Sequence, residues 1–215
     1  MAKRRKVNNL LALAVLALAA ERPMHPYEMA SLLRERGKDQ SIKINWGSLY
    51  TVVGNLEKHG FIEATETVRE GRRPERTVYT ITPAGREEME DWLRELIGTP
   101  EKEYRRFEAA LSLLPGLPPE EVAELLRQRL RSLEEQIAEA TAAIERVASE
   151  LPRLFLIEAE YDLAMLRAEA EWVRGLLTEI ETGTMPGLAL WRAYRQGGEL
   201  PPEIRELAER GSVPD

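Results

Sequence analysis

Cysteine is absent from this 215-residue sequence, and histidine occurs only twice, at His25 and His59. The first absence excludes disulfide bridges, thiol catalysis and cysteine-ligated zinc or iron–sulfur sites. Two histidines 34 positions apart offer little material for a histidine-rich metal site or a serine-type triad. Glycine-rich phosphate loops and the HExxH and GxSxG motifs are also missing. We therefore expect a protein that is not an enzyme and that needs neither a cofactor nor a metal.

Charge is distributed unevenly along the chain, whose formal net charge is −7. Residues 1–86 contain 15 Lys and Arg against 9 Asp and Glu, a net charge of +6, which leaves −13 for residues 87–215. A basic N-terminal part joined to an acidic remainder predicts a surface for a polyanion at one end of the chain only.

The N-terminal segment has two interpretations. Basic residues at 3–6 precede an apolar run of eleven residues at 10–20, which is the outline of a secretory signal peptide. The same run fits the first helix of a cytoplasmic domain, and it is shorter than the roughly 20 residues that span a bilayer. We favour the buried helix because the next stretch of chain needs a core partner. We therefore expect a cytoplasmic protein with no membrane contact.

Residues 1–97 have the element order of a winged helix-turn-helix: three helices, a hairpin and another helix. Helices are predicted over 10–20, 27–36 and 46–59, strands over 61–68 and 76–82 around a turn at 70–75, and a fourth helix from Thr82-Pro83. Asn45 is the predicted cap of the third helix. Its apolar stripe consists of Leu49, Val52, Val53 and Leu56.

The opposite face of this third helix is polar and contains two glycines. Asn55 can pair bidentately with adenine, and Thr51 can contact a thymine methyl group or a phosphate. Lys58 can reach a phosphate. Ser48 either binds a phosphate or simply begins the helix, and Tyr50 either contacts DNA or packs its ring inward. The alternative for the whole face is a solvated surface. The candidate DNA contacts here are Lys43, Asn45, Gly47, Ser48, Tyr50, Thr51, Asn55 and Lys58.

The hairpin turn is the second candidate contact with DNA. Its arginines are Arg69, Arg72, Arg73 and Arg76. Arginines on an exposed turn suit a wing that follows the phosphate backbone or enters a minor groove, although a solvated charged turn is also common. Basic residues at 3–6 either extend this footprint as a flexible arm or belong to a disordered terminus.

From Pro118 onward the pattern changes to long helices. Apolar residues at 126–151 and 163–180 recur every three or four positions, which predicts two antiparallel arms. A helix over 118–151 would be about 50 Å long, too long for the N-terminal module to cover, so a second copy is the expected partner. We predict a mainly α fold with a small β-hairpin wing. A helical dimerisation domain over 98–182 and a partly helical tail over 183–215 follow the winged domain.

Three collinear segments resemble the PadR family of bacterial transcriptional regulators. They are LLALAVLALAAERPMHPYEMASLLRE at 10–35, GSLYTVVGNLEKHGFIEA at 47–64 and EGRRPERTVYTITPAGREEMEDW at 70–92. Thr51 departs from the family pattern, which usually has proline after the Leu-Tyr pair, and Gly54 and Asn55 stand where basic residues are usual. The C-terminal half is similar to the long-tailed branch with a virulence-activator-type helical domain.

This resemblance implies a homodimer that binds double-stranded DNA, usually as a repressor, and that is sometimes released by a small aromatic effector. Two-fold symmetry predicts an inverted-repeat operator. The aromatic residues that could line an effector cavity, or instead pack in the helical core, are Trp92, Tyr104, Phe107, Tyr161 and Trp172. Two other functions are left open, a protein-interaction scaffold without DNA and a secreted helical protein.

Overall fold

The computed structural model describes residues 5–39, 41–68, 76–199 and 202. The chain divides into two units, of which unit 1 ends at Glu103 and unit 2 begins at Tyr104. Each unit has its own cluster of buried apolar side chains. Within the described ranges, no helix is both long and apolar enough to cross a membrane.

Unit 1 has the predicted order of helices and strands. Its elements are α1 Leu10–Glu21, α2 Pro26–Glu35, a 3₁₀-helix Trp46–Ser48, α3 Leu49–Lys58, β1 Ile62–Val68, β2 Arg76–Ile81 and α4 Pro83–Gly98. The spacing of apolar residues along the sequence therefore predicted both the helices and the hairpin of this unit.

Helix α1 lies at the centre of the unit 1 core. Six of its twelve residues are buried, and the helix packs against α2, α3, α4 and β2. Asn9 begins the helix by accepting a hydrogen bond from the Leu11 N–H at 2.8 Å. The interpretation of this segment as a buried helix is thus confirmed, because its removal would take the central layer out of the core.

Strands β1 and β2 form an antiparallel hairpin in which Ile62 lies opposite Ile81 and Ala64 opposite Tyr79, followed by a bulge. Met24, just before α2, adds a short bridge to this hairpin. Its N–H donates to the Tyr79 carbonyl at 3.0 Å, and the Tyr79 N–H donates back at 2.9 Å. The hairpin is therefore attached to the start of α2.

The start of α4 is fixed to the end of α3. Thr82 caps α4 by accepting a hydrogen bond from the Gly85 N–H at 3.0 Å, and its hydroxyl donates to the Gly60 carbonyl at 2.6 Å. A Cβ at Gly85 would lie 1.9 Å from the carbonyl oxygen of Phe61. Only glycine fits at this crossing, so the close approach holds α3, β1 and α4 in one arrangement.

Unit 2 is built on two long antiparallel helices, as the sequence predicted. Its elements are α5 Arg106–Leu111, a 3₁₀-helix Leu114–Gly116, α6 Pro119–Val147, a 3₁₀-helix Arg153–Phe155, α7 Ile157–Thr182 and α8 Leu188–Arg195. The ion pairs between α6 and α7 include Arg127 with Glu181 at 2.7 Å and Glu134 with Arg174 at 2.8 Å. The later residue of α6 in these two pairs contacts the earlier residue of α7, so the two helices run antiparallel.

The apolar seam of α6 packs largely on α7 of the same chain. Leu126 and Leu133 are buried together with Val173 and Leu177. The seam therefore does not by itself require a second copy, which corrects one argument that the sequence offered for a dimer. Helix α6 also ends at Val147, before the predicted boundary.

Helix α8 packs against the beginning of α6. The Trp191 side chain is buried, and its Nε1 donates to the Leu117 carbonyl at 2.9 Å. Arg192 pairs with Glu120 at 2.7 Å, and this hydrogen bond lowers the pKa of the Glu120 carboxyl. The described part of the tail is thus an integral layer of unit 2.

Candidate nucleic-acid interface

Helix α3 presents one face to the core and the other to solvent. Its stripe of Leu49, Val52, Val53 and Leu56 is buried. The opposite side is exposed and consists of Gly47, Thr51, Gly54, Asn55 and Lys58. We call these five residues the α3 face. The polar face predicted from the sequence is therefore accessible to a partner.

The segment before α3 differs from the prediction. Asn45 caps the 3₁₀-helix and not α3, since its Oδ1 accepts a hydrogen bond from the Gly47 N–H at 3.1 Å. Its carbonyl accepts the Ser48 hydroxyl at 2.7 Å. An asparagine side chain that bonds to the backbone two residues on favours a tight turn, and this is why α3 begins only at Leu49. Lys43 is exposed in the preceding loop.

Tyr50 projects outward from α3, with 61% of its surface exposed, so the inward-packed alternative is wrong. Its ring stands edge-on to His25 at 6.5 Å between centroids. His25 caps α2, because its Nδ1 accepts a hydrogen bond from the Tyr27 N–H at 3.1 Å. The histidine therefore has a structural role beside an exposed tyrosine.

The arginines of the wing are mostly outside the described residues. Arg69, Arg72 and Arg73 fall in the undescribed stretch 69–75. Arg76 opens β2 opposite Val68. Their contact with DNA stays a prediction from the sequence.

Arg5 contradicts the expectation of a flexible basic arm or a disordered terminus. Only 5% of its side chain is exposed, its Nη1 donates to Glu88 at 2.6 Å and its Nη2 donates to Glu95. The guanidinium also lies 5.1 Å from the ring centroid of Trp92. Burial alone would lower the pKa of Arg5, but the hydrogen bonds and charges of the two glutamates raise it above its ordinary value. Arg5 is thus an anchor of the N-terminal segment on α4.

Sequence reasoning missed this anchor, although α4 carried a signal for it. Glu88, Trp92 and Glu95 are spaced four and three apart, so they share one face of the helix. Two carboxylates on either side of a tryptophan form a site for one guanidinium.

A cavity of about 240 Å³ lies within unit 2, between α5 and the first half of α6. Its lining consists of Phe107, Ala110, Leu111, Leu113, Leu114, Leu117, Val122, Leu125, Leu126 and Arg129. The Arg129 guanidinium lies 3.7 Å from the Phe107 ring centroid, and its Nε donates to Glu169 at 2.7 Å. The site is therefore an apolar cavity with one charged group.

Of the five aromatic residues predicted for an effector cavity, the structure brings Phe107 to this lining. Trp172 stands edge-on to Phe107 at 6.1 Å. Tyr104 and Tyr161 are exposed, and Trp92 is buried in the core of unit 1 beneath Arg5. The prediction missed the leucines of the cavity, because their spacing is that of ordinary helix packing.

Residues 15–91, which extend from α1 into α4, match the model of the transcriptional regulator PadR-like family. These residues form a domain of the PadR-like family of transcriptional regulators. The prediction of a DNA-binding transcriptional regulator is thereby confirmed, and the α3 face lies inside the PadR-like region. The family is one of regulators of transcription.

The negative transcriptional regulator PadR of Bacillus subtilis is 26% identical to this chain over 148 residues, which are 68% of this chain and 80% of that protein. The fold is similar to that of a crystal structure of Bacillus subtilis PadR in complex with operator DNA, with a TM-score of 0.68 and 21% identity over 80% of this chain and 99% of that one. The fold is also similar to that of a crystal structure of Bacillus subtilis PadR in complex with p-coumaric acid, with a TM-score of 0.67 and 18% identity over 80% of this chain and 99% of that one.

The virulence activator AphA of Vibrio cholerae has a similar fold, with a TM-score of 0.61 and 16% identity over 80% of this chain and 98% of that one. Coverage of this extent goes beyond residues 15–91. The likeness in fold therefore includes helices of unit 2, and the predicted mainly helical winged fold is confirmed.

Proposed function

We propose that this PadR-like chain is a cytoplasmic, non-enzymatic repressor that binds an inverted-repeat operator as a homodimer. The observation that carries the proposal is the α3 face, an exposed polar strip with two glycines opposite a fully buried stripe. A helix of this kind can enter the major groove of double-stranded DNA, which has room for one helix. The crystallised complex of the similar PadR with operator DNA supports the same partner.

Each residue of the interface has a role that its chemistry suits. Asn55 reads a base edge, Thr51 contacts a thymine methyl or a phosphate, and Lys58 neutralises a phosphate. The other proposed contacts are Lys43, Asn45, Gly47, Ser48 and Tyr50 around the start of α3, and the wing residues Arg69, Arg72, Arg73 and Arg76. Asn45 and Ser48 contribute through the turn that they hold together.

A mobility-shift titration of the full chain on DNA from upstream of its own gene tests the proposal. We expect a retarded band with two-fold symmetric protection of the duplex. Binding should weaken steeply as the salt concentration rises, because association releases cations from the phosphates and this release becomes less favourable at high salt. Failure to retard the duplex at low salt would contradict DNA binding.

Replacement of Asn55 by alanine should weaken binding to the operator by about ten- to a hundredfold and leave binding to random DNA unchanged, since a bidentate base contact is worth about 1–3 kcal/mol. Lys58→Ala is the matched control, because loss of a phosphate contact weakens binding to both duplexes alike. Anisotropy titrations with the two duplexes measure the difference. Equal losses on both duplexes for Asn55→Ala would refute its assignment to base reading.

Replacement of Gly54 by alanine should stabilise the fold and weaken operator binding together. A Cβ at Gly54 meets no atom within 4 Å, and alanine is favoured in a helix interior by about 1 kcal/mol. The added methyl group would project from the α3 face, where the duplex must approach closely. Gly175→Ala in α7 is the control, since Gly175 is equally open and lies far along the sequence from α3.

Thermal unfolding and anisotropy titration measure the two effects of Gly54→Ala. Gly175→Ala should show the gain in stability alone. Full operator affinity in Gly54→Ala would contradict close approach of the duplex at this residue.

The proposed dimer is supported by apolar side chains at the turn between α6 and α7. Leu151, Leu154, Phe155, Ile157 and Tyr161 are all exposed there. A group of large apolar residues on the surface is typical of a protein–protein interface. An inverted repeat requires two copies of the chain. The exposed surface of residues 151–161, which we call the α6–α7 turn, is the proposed contact between them.

The cavity of unit 2 is the proposed effector site, with Phe107 and its leucines around an aromatic ring. Arg129 has five N–H donors, of which Glu169 accepts two, so donors remain for an acidic group. We expect p-coumaric acid, the ligand in the similar PadR crystal, to bind here and to release the operator. Trp172 supports Phe107 from the side.

Ala110→Phe should fill this cavity and weaken binding of p-coumaric acid at least about tenfold by steric exclusion. Ala109→Phe is the control, because Ala109 is on the same helix but is exposed outside the lining. Calorimetric titration of the two variants measures the difference. Equal affinities in the two variants would place the effector elsewhere.

A further inference from the structure

Cations of unit 1 differ in whether a carboxylate neutralises them. The paired arginines in the described part of unit 1 are Arg5 with Glu88 and Glu95, Arg22 with Glu28, Arg36 with Glu21, and Arg94 with Glu90 and Asp91. Arg34 has no carboxylate partner within the described part of the chain, although it lies on the same helical turn as Arg36. A cation that is paired with a carboxylate of the protein is already neutralised, whereas a cation without a carboxylate partner is available to an external anion.

The Arg34 guanidinium is held in place by a tryptophan. Its Cζ lies 4.0 Å from the ring centroid of Trp46, and Trp46 itself packs against the unit 1 core. Stacking covers the flat face of a guanidinium and leaves the N–H groups at its edge free to donate. Arg34 is thus an exposed cation with a fixed orientation, and its N–H groups make no hydrogen bond to any residue that the structure describes.

The position of this stack connects it to the α3 face. Trp46 immediately precedes Gly47, the first residue of that face, and Arg34 is in the last turn of α2. In a helix-turn-helix the first helix crosses the DNA backbone while the second lies in the major groove. A guanidinium in the last turn of the first helix, stacked on the residue that precedes the α3 face, is therefore placed to meet the phosphates that border the groove.

We propose that Arg34, stacked on Trp46, binds a backbone phosphate of duplex DNA and so sets the orientation of α3 in the groove. The proposal rests on the proposed function, since it requires that α3 binds DNA. Planar N–H donors on one edge suit two oxygens of one phosphodiester, which is a geometry that lysine cannot reproduce. Arg34 is a binding residue for the backbone and carries no base specificity.

The competing role for Arg34 is simply to cover the Trp46 ring. Salt dependence separates the two roles, because loss of one phosphate contact reduces the slope of log affinity against log salt concentration by about one. A residue that only covers a ring contributes nothing to that slope. Arg34→Met keeps an unbranched apolar side chain on Trp46 and removes every N–H donor.

The test is an anisotropy titration of the full chain on operator and random duplexes over a series of potassium chloride concentrations. Arg34→Met should lose about tenfold in affinity on both duplexes at low salt, with a slope smaller by about one and an unchanged melting temperature. Arg34→Lys should keep the wild-type slope at reduced affinity. Arg36→Ala, whose arginine is paired with Glu21, should keep both slope and affinity.

A wild-type slope and affinity in Arg34→Met would overturn the inference and leave DNA binding by α3 intact. A slope that falls equally in Arg36→Ala would also overturn it, because the effect would then be one of net charge. Absence of binding by the wild-type chain would instead refute the proposed function, and the inference with it.

Discussion

Replacement of both Leu154 and Phe155 by aspartate should convert the dimer into a monomer and weaken operator binding by about a hundredfold or more. The two side chains are 73% and 68% exposed, at the turn between the long helices. Large apolar groups at this exposure gain free energy only when a partner covers them. Two aspartates would bring charge into the buried contact, where desolvation opposes association.

The loss of affinity follows from the geometry of an inverted repeat. In a dimer, binding of the first half-site brings the second α3 face to the second half-site at a high local concentration. A monomer has only one half-site contact. Sedimentation equilibrium measures the mass and anisotropy measures the affinity, with Ser149→Asp as a control that adds one charge at an exposed residue near the same turn. A doubly substituted chain that sediments as a dimer would refute the α6–α7 turn as the interface.

Replacement of Arg5 by alanine should lower the free energy of unfolding of unit 1 by about 3 kcal/mol. Removal of one partner from a buried ion pair costs about 3–5 kcal/mol, since the other charge is left unpaired. Two carboxylates, Glu88 and Glu95, would lose their common guanidinium here, and the ring of Trp92 would lose its cover. Urea unfolding followed by circular dichroism measures the change.

Two further variants make this prediction specific. Arg36→Ala should cost less than about 1 kcal/mol, because its pair with Glu21 is solvent-exposed. The triple change of Arg5 to alanine with Glu88 and Glu95 to glutamine should recover part of the loss, because no unpaired charge is left in the site. A cost for Arg5→Ala as small as that of Arg36→Ala would show that the anchor contributes little.

Periodic burial explains why the helices could be predicted from the sequence. The stripe Leu49, Val52, Val53 and Leu56 repeats at the helical period, and the same four residues are buried in the core. The run at 10–20 is apolar on nearly every side, and α1 is surrounded by other elements of unit 1. In α1 and α3 the positions of the apolar residues in the sequence match the sides of the helix that are buried, so the sequence pattern predicts the burial.

Contacts between distant residues could not be predicted in the same way. Arg5 meets glutamates 83 and 90 positions away, and a count of basic residues near the N-terminus treats a paired arginine and a free one alike. The net charge of +6 therefore predicted the class of partner but not which cations serve it. Asn45 was misassigned because the choice between an α-helix and a 3₁₀-turn depends on hydrogen bonds within a single turn.

The glycine at Gly54 has a consequence for any attempt to make this regulator more robust. Because alanine fits there without a clash and suits the helix better, a library screened only for survival of heating should enrich that replacement. The selected variants would be more stable to heat but would bind their operator with lower affinity. Screens for heat tolerance in this chain therefore need a reporter of repression alongside them.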